Sequence, residues 1–136
     1  MTENWRYWLM GQLYAELQML ERSEPLETIS PRKTKGARQT MMDDYDVIAF
    51  GCPAMGDEEL EDSVFLPMFE PCRAKLNGKQ IALFGSYDWG DGEWLRNWEQ
   101  RCRDDGAVIA ADSLKCNLTP DDEGIAACKA MGGSLV

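Results

Sequence analysis

The chain has 136 residues, 44% of them hydrophobic, which is enough for one domain with a real core and too short for two ordinary ones. Its 14 Lys and Arg against 24 Asp and Glu leave a net charge of −10, which argues against a nucleic-acid partner because phosphate backbones need clustered positive charge. There is no histidine, so the usual general base of hydrolytic triads is missing, although Asp, Glu, Lys and Cys remain available for acid–base or nucleophilic work.

The charge is unevenly spread: residues 1–40 sum to +1 and residues 41–136 to −11. An acidic face of that kind either solvates the surface or steers a basic partner toward it. The five cysteines (Cys52, Cys72, Cys102, Cys116 and Cys128) form no C-x-x-C pair and no metal-ligand spacing. They fit a reducing compartment in which a free thiol packs as a small hydrophobe. With no signal peptide and no apolar run near 18 residues, the sequence predicts a cytoplasmic protein with no membrane association.

In chain order, Trp5, Tyr7 and Trp8 read as the tail of a first strand, LMGQLYAELQMLER as an amphipathic helix, and SEPLETISPRKTKGARQTMM as a long loop without a strand. From Asp46 the pattern becomes regular. VIAFG at 47–51 is a short apolar run ending in Gly, as expected of a strand buried on both faces. Glu59 to Leu76 carries Leu60, Val64, Met68, Cys72 and Leu76 at spacing four, an interrupted helix broken or kinked by Pro67 and Pro71.

A second strand, QIALF at 80–84, opens through SYDWGDG into the helix EWLRNWEQRCRDD, whose Trp94, Leu95, Trp98 and Cys102 line one stripe and whose end Gly106 closes. AVIAA at 107–111 is the third strand candidate. Thr119-Pro120-Asp121-Asp122 then supplies an N-cap, Pro at the first position and acidic residues for a last helix reaching about Met131. Strand and helix alternate throughout 46–131, which predicts a parallel sheet with helices on its faces and a ligand site outside the strands' carboxyl ends, where Gly51-Cys52 and Gly85-Ser86 open into loops.

Two strings at those ends are specific. GCPAMGDEELEDSV at 51–64, followed by LFGSYDWGDGEW at 83–94, closely resembles the short-chain flavodoxins, FMN electron carriers of anaerobic bacteria, and the resemblance runs from about Asp44 to the end. It implies an α/β fold: one flavodoxin-like domain over 1–136, a doubly wound parallel five-stranded sheet with helices on both faces, in which 1–43 is atypical. It also implies low-potential electron transfer on non-covalently bound FMN, with no catalytic residues, and exchange with redox partner proteins that have basic surfaces. A monomer is expected.

By the same resemblance Pro53, Ala54, Met55, Gly56, Asp57 and Glu58 lie against the inner side of the flavin ring. Met55 offers a polarizable thioether to an aromatic face, and Gly56 lets its peptide turn over so that a carbonyl accepts from reduced flavin N5. Glu58 is an acceptor for a ring N–H. Ser86, Tyr87, Asp88, Trp89, Gly90, Asp91 and Gly92 form the outer side, with the Trp89 indole stacked on the ring for about 0.5–1.5 kcal/mol beyond area burial. The family usually carries Gly where Asp88 stands, which predicts a difference in loop conformation or local charge.

Other residues in these segments read as structural. Trp94 and Trp98 are core, Cys52 is a packed thiol with no basic neighbour to activate it, and the Asp57–Asp62 run is a solvated face and helix start. Asp57, Glu58, Asp88 and Asp91 nevertheless surround the expected ring, and an anionic reduced flavin there would cost electrostatic energy, lowering the second potential.

The family's phosphate loop, of the form S-G-T-G-N-T after the first strand, is not matched: Trp8 is followed by Leu9-Met10-Gly11-Gln12-Leu13-Tyr14-Ala15-Glu16. The spacing from Trp8 to CPAMG is close to the family's, whereas composition and charge between them are not. A disturbed reading frame over roughly 9–42, resuming near Asp43, is the simplest account, and a genuinely diverged segment the other. The alternatives to an electron carrier are a flavin-dependent reductase on the same fold and a degenerate member with weak or no FMN binding that serves as an interaction module.

Overall fold

The computed structural model describes residues 5–8, 27–28, 42–43, 45–52, 54–60, 62, 65–118 and 121–135; for 5–8, 27–28 and 68 the backbone alone is described. The expected first helix, the phosphate-loop comparison, Pro53 and the Thr119-Pro120 cap lie outside these residues.

The strands are β1 (Trp5–Trp8), β2 (Glu27–Thr28), β3 (Val47–Gly51), β4 (Gln80–Tyr87), β5 (Val108–Ile109) and β6 (Leu114–Asn117). The helices are α1 (Phe65–Cys72), α2 (Glu93–Asp104) and α3 (Asp122–Ser134). All pairings are parallel, in the order β2-β1-β3-β4-β5. β5 pairs with Gln80 and Ile81 and β6 with Phe84 to Tyr87, so the two occupy one edge in turn and the described strands fill five positions of the sheet. The tail of the first strand is where the aromatic triplet placed it. Inside the expected long loop Glu27 and Thr28 pair with Arg6 and Tyr7, a contact that no local pattern announces.

β3 and β4 are apolar on both sides because both sides are covered. Ile48, Phe50, Ile81 and Leu83 face one way, against Phe65, Phe69 and Cys72 of α1 and Trp94, Leu95, Trp98 and Cys102 of α2. Ala49, Ala82 and Phe84 face the other, against Cys128 and Met131 of α3. On the first face Phe69 lies 5.3 Å from Phe50 and 5.7 Å from Trp98, ring centre to ring centre and near perpendicular, the edge-to-face arrangement that aromatic quadrupoles favour. All five cysteines are buried.

Several boundaries differ from those the pattern predicts. The helix expected from Glu59 starts at Phe65; its buried stripe is Phe65, Phe69, Cys72 and Leu76, and after Pro71 the chain tightens into a 3₁₀ turn, Arg73–Lys75. Proline lacks the N–H that would continue the α-helical ladder. The strand expected over 107–111 is confined to Val108–Ile109. α3 is capped by Asp121, whose Oδ1 accepts from the Gly124 N–H at 2.8 Å, and it runs on to Ser134. α2 ends as anticipated: Gly106, at φ 90, donates to the Arg103 carbonyl and Ala107 to that of Cys102, a Schellman closure.

Candidate functional site

β3 and β4 deliver two loops side by side at their carboxyl ends. The ladder continues past β3, with the Cys52 N–H donating to the Phe84 carbonyl at 3.1 Å and the Ala54 N–H to that of Ser86 at 2.9 Å. Beyond this shared base the inner loop closes on itself: Met55 and Glu59 exchange both backbone hydrogen bonds at 2.8 Å, which turns Gly56 and Asp57 outward. Met55 is 46% exposed, and Gly56, at φ 55, has open space where a side chain would stand.

Glu58 runs against this outward trend. It is 7% exposed, at φ 56, and its carboxylate reaches beneath the outer loop, where Oε1 accepts from the Gly92 N–H (3.1 Å) and Oε2 from the Trp94 N–H (3.2 Å). Those are orphan donors at the start of α2, so an anion from a separate loop caps the helix and complements its dipole. The acidic run is therefore not uniformly solvated: Asp57, Glu59 and Asp62 are exposed while Glu58 is interior, and no helix starts among the described residues of the run. Each carboxylate oxygen keeps a further acceptor position, so a ring N–H remains within its chemical capacity.

The outer loop passes over Glu58. Gly90, at φ 89, is so near that a Cβ would overlap the Glu58 carboxylate, so only glycine fits. Ser86 and Tyr87 are half-buried, Asp88, Trp89, Gly90 and Asp91 are exposed, and Gly92 is buried. Trp89 is 60% exposed. Asp88 does not have a positive φ, so the departure from the family's Gly changes charge and requires no glycine-only conformation. Trp94 and Trp98 are core as expected, the Trp94 indole N–H donating to the Cys52 carbonyl at 3.2 Å.

The expectation for Asp91 needs correcting. Its carboxylate pairs with Arg96 at 2.9 Å, and Lys115 Nζ donates to its carbonyl at 2.6 Å, so its negative charge is locally offset. The Arg96 guanidinium holds the Asp91 carboxyl below the usual carboxylate range. Among the described residues no cation pairs with Asp57 or Asp88.

Sequence reasoning missed three residues here, Lys115, Asn117 and Leu118. Asn117 Nδ2 donates to the carbonyls of Tyr87 (3.2 Å) and Asp88 (3.0 Å), and the Leu118 N–H to that of Tyr87 at 2.8 Å. The available signal was the alternation of Leu114 and Cys116 with Lys115 and Asn117, four residues of period two.

A cavity of about 850 Å³ lies at the opposite end of the sheet, lined by Asp46, Lys79, Gln80 and Leu135 and remote from both loops. The described residues include no group of three or more His, Cys, Asp or Glu able to hold a metal, and no helix long and apolar enough to cross a membrane.

Comparison with known proteins gives this end of the sheet its context. The sequence profile of the Flavodoxin family matches residues 27–132. The chain belongs to the flavodoxin family. Flavodoxins bind FMN and carry electrons, and they are not enzymes. The match starts before Asp44, where the motif resemblance begins. The Megasphaera elsdenii flavodoxin is 51% identical over 87 residues, 64% of this chain and 61% of that one. The Clostridium beijerinckii flavodoxin is 47% identical over 77 residues, 57% of this chain and 56% of that one. The sequence match thus spans about three fifths of the length of these relatives.

The solution structure of two-electron reduced Megasphaera elsdenii flavodoxin superposes with a TM-score of 0.80 over 96% of both chains, at 35% identity. An oxidised flavodoxin of Bacillus cereus, at 22% identity and a TM-score of 0.73 over 96% of this chain, shares the fold. The donor set fits the family's flavin: two exposed, polarizable or aromatic side chains on adjacent loops, open space at Gly56, and a buried carboxylate with acceptor capacity to spare.

Proposed function

We propose that this chain is a low-potential electron carrier holding FMN non-covalently between its inner and outer loops. The observation that carries the reading is the pair of exposed residues Met55 and Trp89, delivered by adjacent strands and backed by the buried Glu58 carboxylate. Met55 and Trp89 take opposite ring faces, Glu58 accepts from a ring N–H, and the Gly56 peptide is free to present either its N–H or its carbonyl to the ring edge. FMN supplies the redox chemistry. The protein's part is to orient the ring, exclude water from its faces and set its electrostatic surroundings.

Glu58, Asp57 and Asp88 are the acidic groups that disfavour added negative charge on the ring, with Asp91 locally offset by Arg96 and Lys115. The acidic surface suits redox partner proteins with basic faces, met by a monomer in the cytoplasm.

Fluorescence titration of FMN with the purified protein, with riboflavin in parallel, tests this. Quenching of both is the expected result, and the ratio of the two dissociation constants reads the contribution of the phosphate. Absence of quenching by either flavin would refute the carrier, and NAD(P)H oxidation by the flavin-loaded protein alone would point to a reductase instead.

A further inference from the structure

The outer loop is held at both ends by residues outside the two flavin motifs. Lys115 and Asn117 stand two apart on the solvent side of β6, with Cys116 between them buried toward α3. Asn117 and Leu118 fix the carbonyls of Tyr87 and Asp88, the loop's first half. At the second half Lys115 Nζ bonds the Asp91 carbonyl at 2.6 Å and lies 5.8 Å from the centre of the Tyr87 ring. Its chain covers Gly92 so closely that a Cβ there would meet Cδ and Nζ at 2.7 Å. Arg96 reaches the same carbonyl, at 3.2 Å, but from only five residues along the chain, so loop and helix can shift together. The Lys115 bond spans 24 residues and ties the loop to the sheet.

We propose that Lys115 is a positioning residue of the ring site, clamping the Asp91–Gly92 backbone so that the outer loop presents Trp89 in stacking position before any flavin binds. Trp89 is 60% exposed, so its place depends on the backbone on either side of it. Ordering that backbone in advance removes an entropic cost from binding. The inference rests on the carrier reading only in assigning Trp89 to the ring; the clamp itself belongs to the flavin-free protein.

The test compares the full-length wild type with Lys115→Met and Lys115→Arg in three measurements: amide hydrogen exchange over residues 88–92 without flavin, melting temperature, and titration with FMN and with riboflavin. In Lys115→Met, exchange in the loop should rise about tenfold, the equivalent of one charge-assisted hydrogen bond. The melting temperature should stay within a few degrees, because the lysine is at the surface. Both flavins should weaken by the same factor, about tenfold at most, since the effect is on the ring and not on the phosphate. Lys115→Arg should restore most of the loss.

Wild-type exchange in Lys115→Met, a rise spread over the whole chain with a fall in melting temperature, or a local rise that leaves flavin affinity untouched would each overturn the proposal. If the wild type binds neither flavin while loop exchange still responds locally and is rescued by arginine, the clamp stands and the carrier reading fails.

Discussion

Glu58 adopts φ 56, a left-handed conformation that costs a non-glycine residue about 1–2 kcal/mol, and its two hydrogen bonds to the start of α2 offset that cost. Glu58→Ala should therefore destabilise the flavin-free protein by about 2 kcal/mol in urea titration, and Glu58→Gln by less, since an amide oxygen still accepts one of the two bonds. Gly85 is tighter still: a Cβ there would run into the Cys52 carbonyl and touch the Trp94 ring, so Gly85→Ala must part β4 from the base of the inner loop. A loss of at least about 2 kcal/mol is expected, read as a lowered melting temperature. Asp91 titrates below an unperturbed carboxylate, so its contribution to loop order is complete above the unfolded-state value and is lost as pH falls through the folded one. Loop exchange measured from pH 6 downward should rise below about pH 4, and Arg96→Met should move that rise upward.

Among the elements, α1 and α2 are joined at their far ends by the Arg73 guanidinium, which grips the Asp105 carboxylate at 2.6 and 3.1 Å, and each carries a buried thiol. Burial pushes Cys72 up to about 11 and Cys102 up to about 12, from 9.0. Because the folded values are raised, this stabilisation is complete below about pH 9 and is lost as pH climbs through 11 to 12. Urea midpoints from pH 8 to 11 should fall less steeply for Cys102→Ala than for wild type. Element type was readable wherever a run of ten or so residues held one period, as in α2. It was misread where local and tertiary signals diverged: α1 was started at Glu59 rather than Phe65, because Leu60, buried at the end of the inner loop, continues the spacing of four set by Cys72 and Leu76, and β6 was passed over, because Lys, Cys and Asn make a poor strand until β4 pairs with them.

For the whole molecule, the net charge of −10 sets how partners approach. The rate of electron exchange with a basic partner protein should fall as salt is raised from 10 to 300 mM in stopped-flow mixing, and should be flat if the acidic face plays no part in docking. Bound FMN should raise the unfolding free energy by about 2.7 kcal/mol at a hundredfold excess over its dissociation constant, read as a rise in melting temperature. The question of residues 9–42 is open to reading the encoding DNA: a G-T-G-N-T-like string in another frame marks a disturbed frame, and its absence marks a diverged segment.

By itself the sequence determined the alternation of strands and helices from Val47 through Asp104, the burial of the cysteines and the two motifs that open into adjacent loops. These follow from short periodic patterns and from long motifs, which are properties of contiguous residues. Tertiary structure decided what those loops rest on. Glu58 finds its donors 34 and 36 residues away and Lys115 its carbonyl at 24, and β6 becomes a strand only beside Phe84 to Tyr87. Such contacts depend on which segments the sheet sets side by side, and no local pattern encodes that.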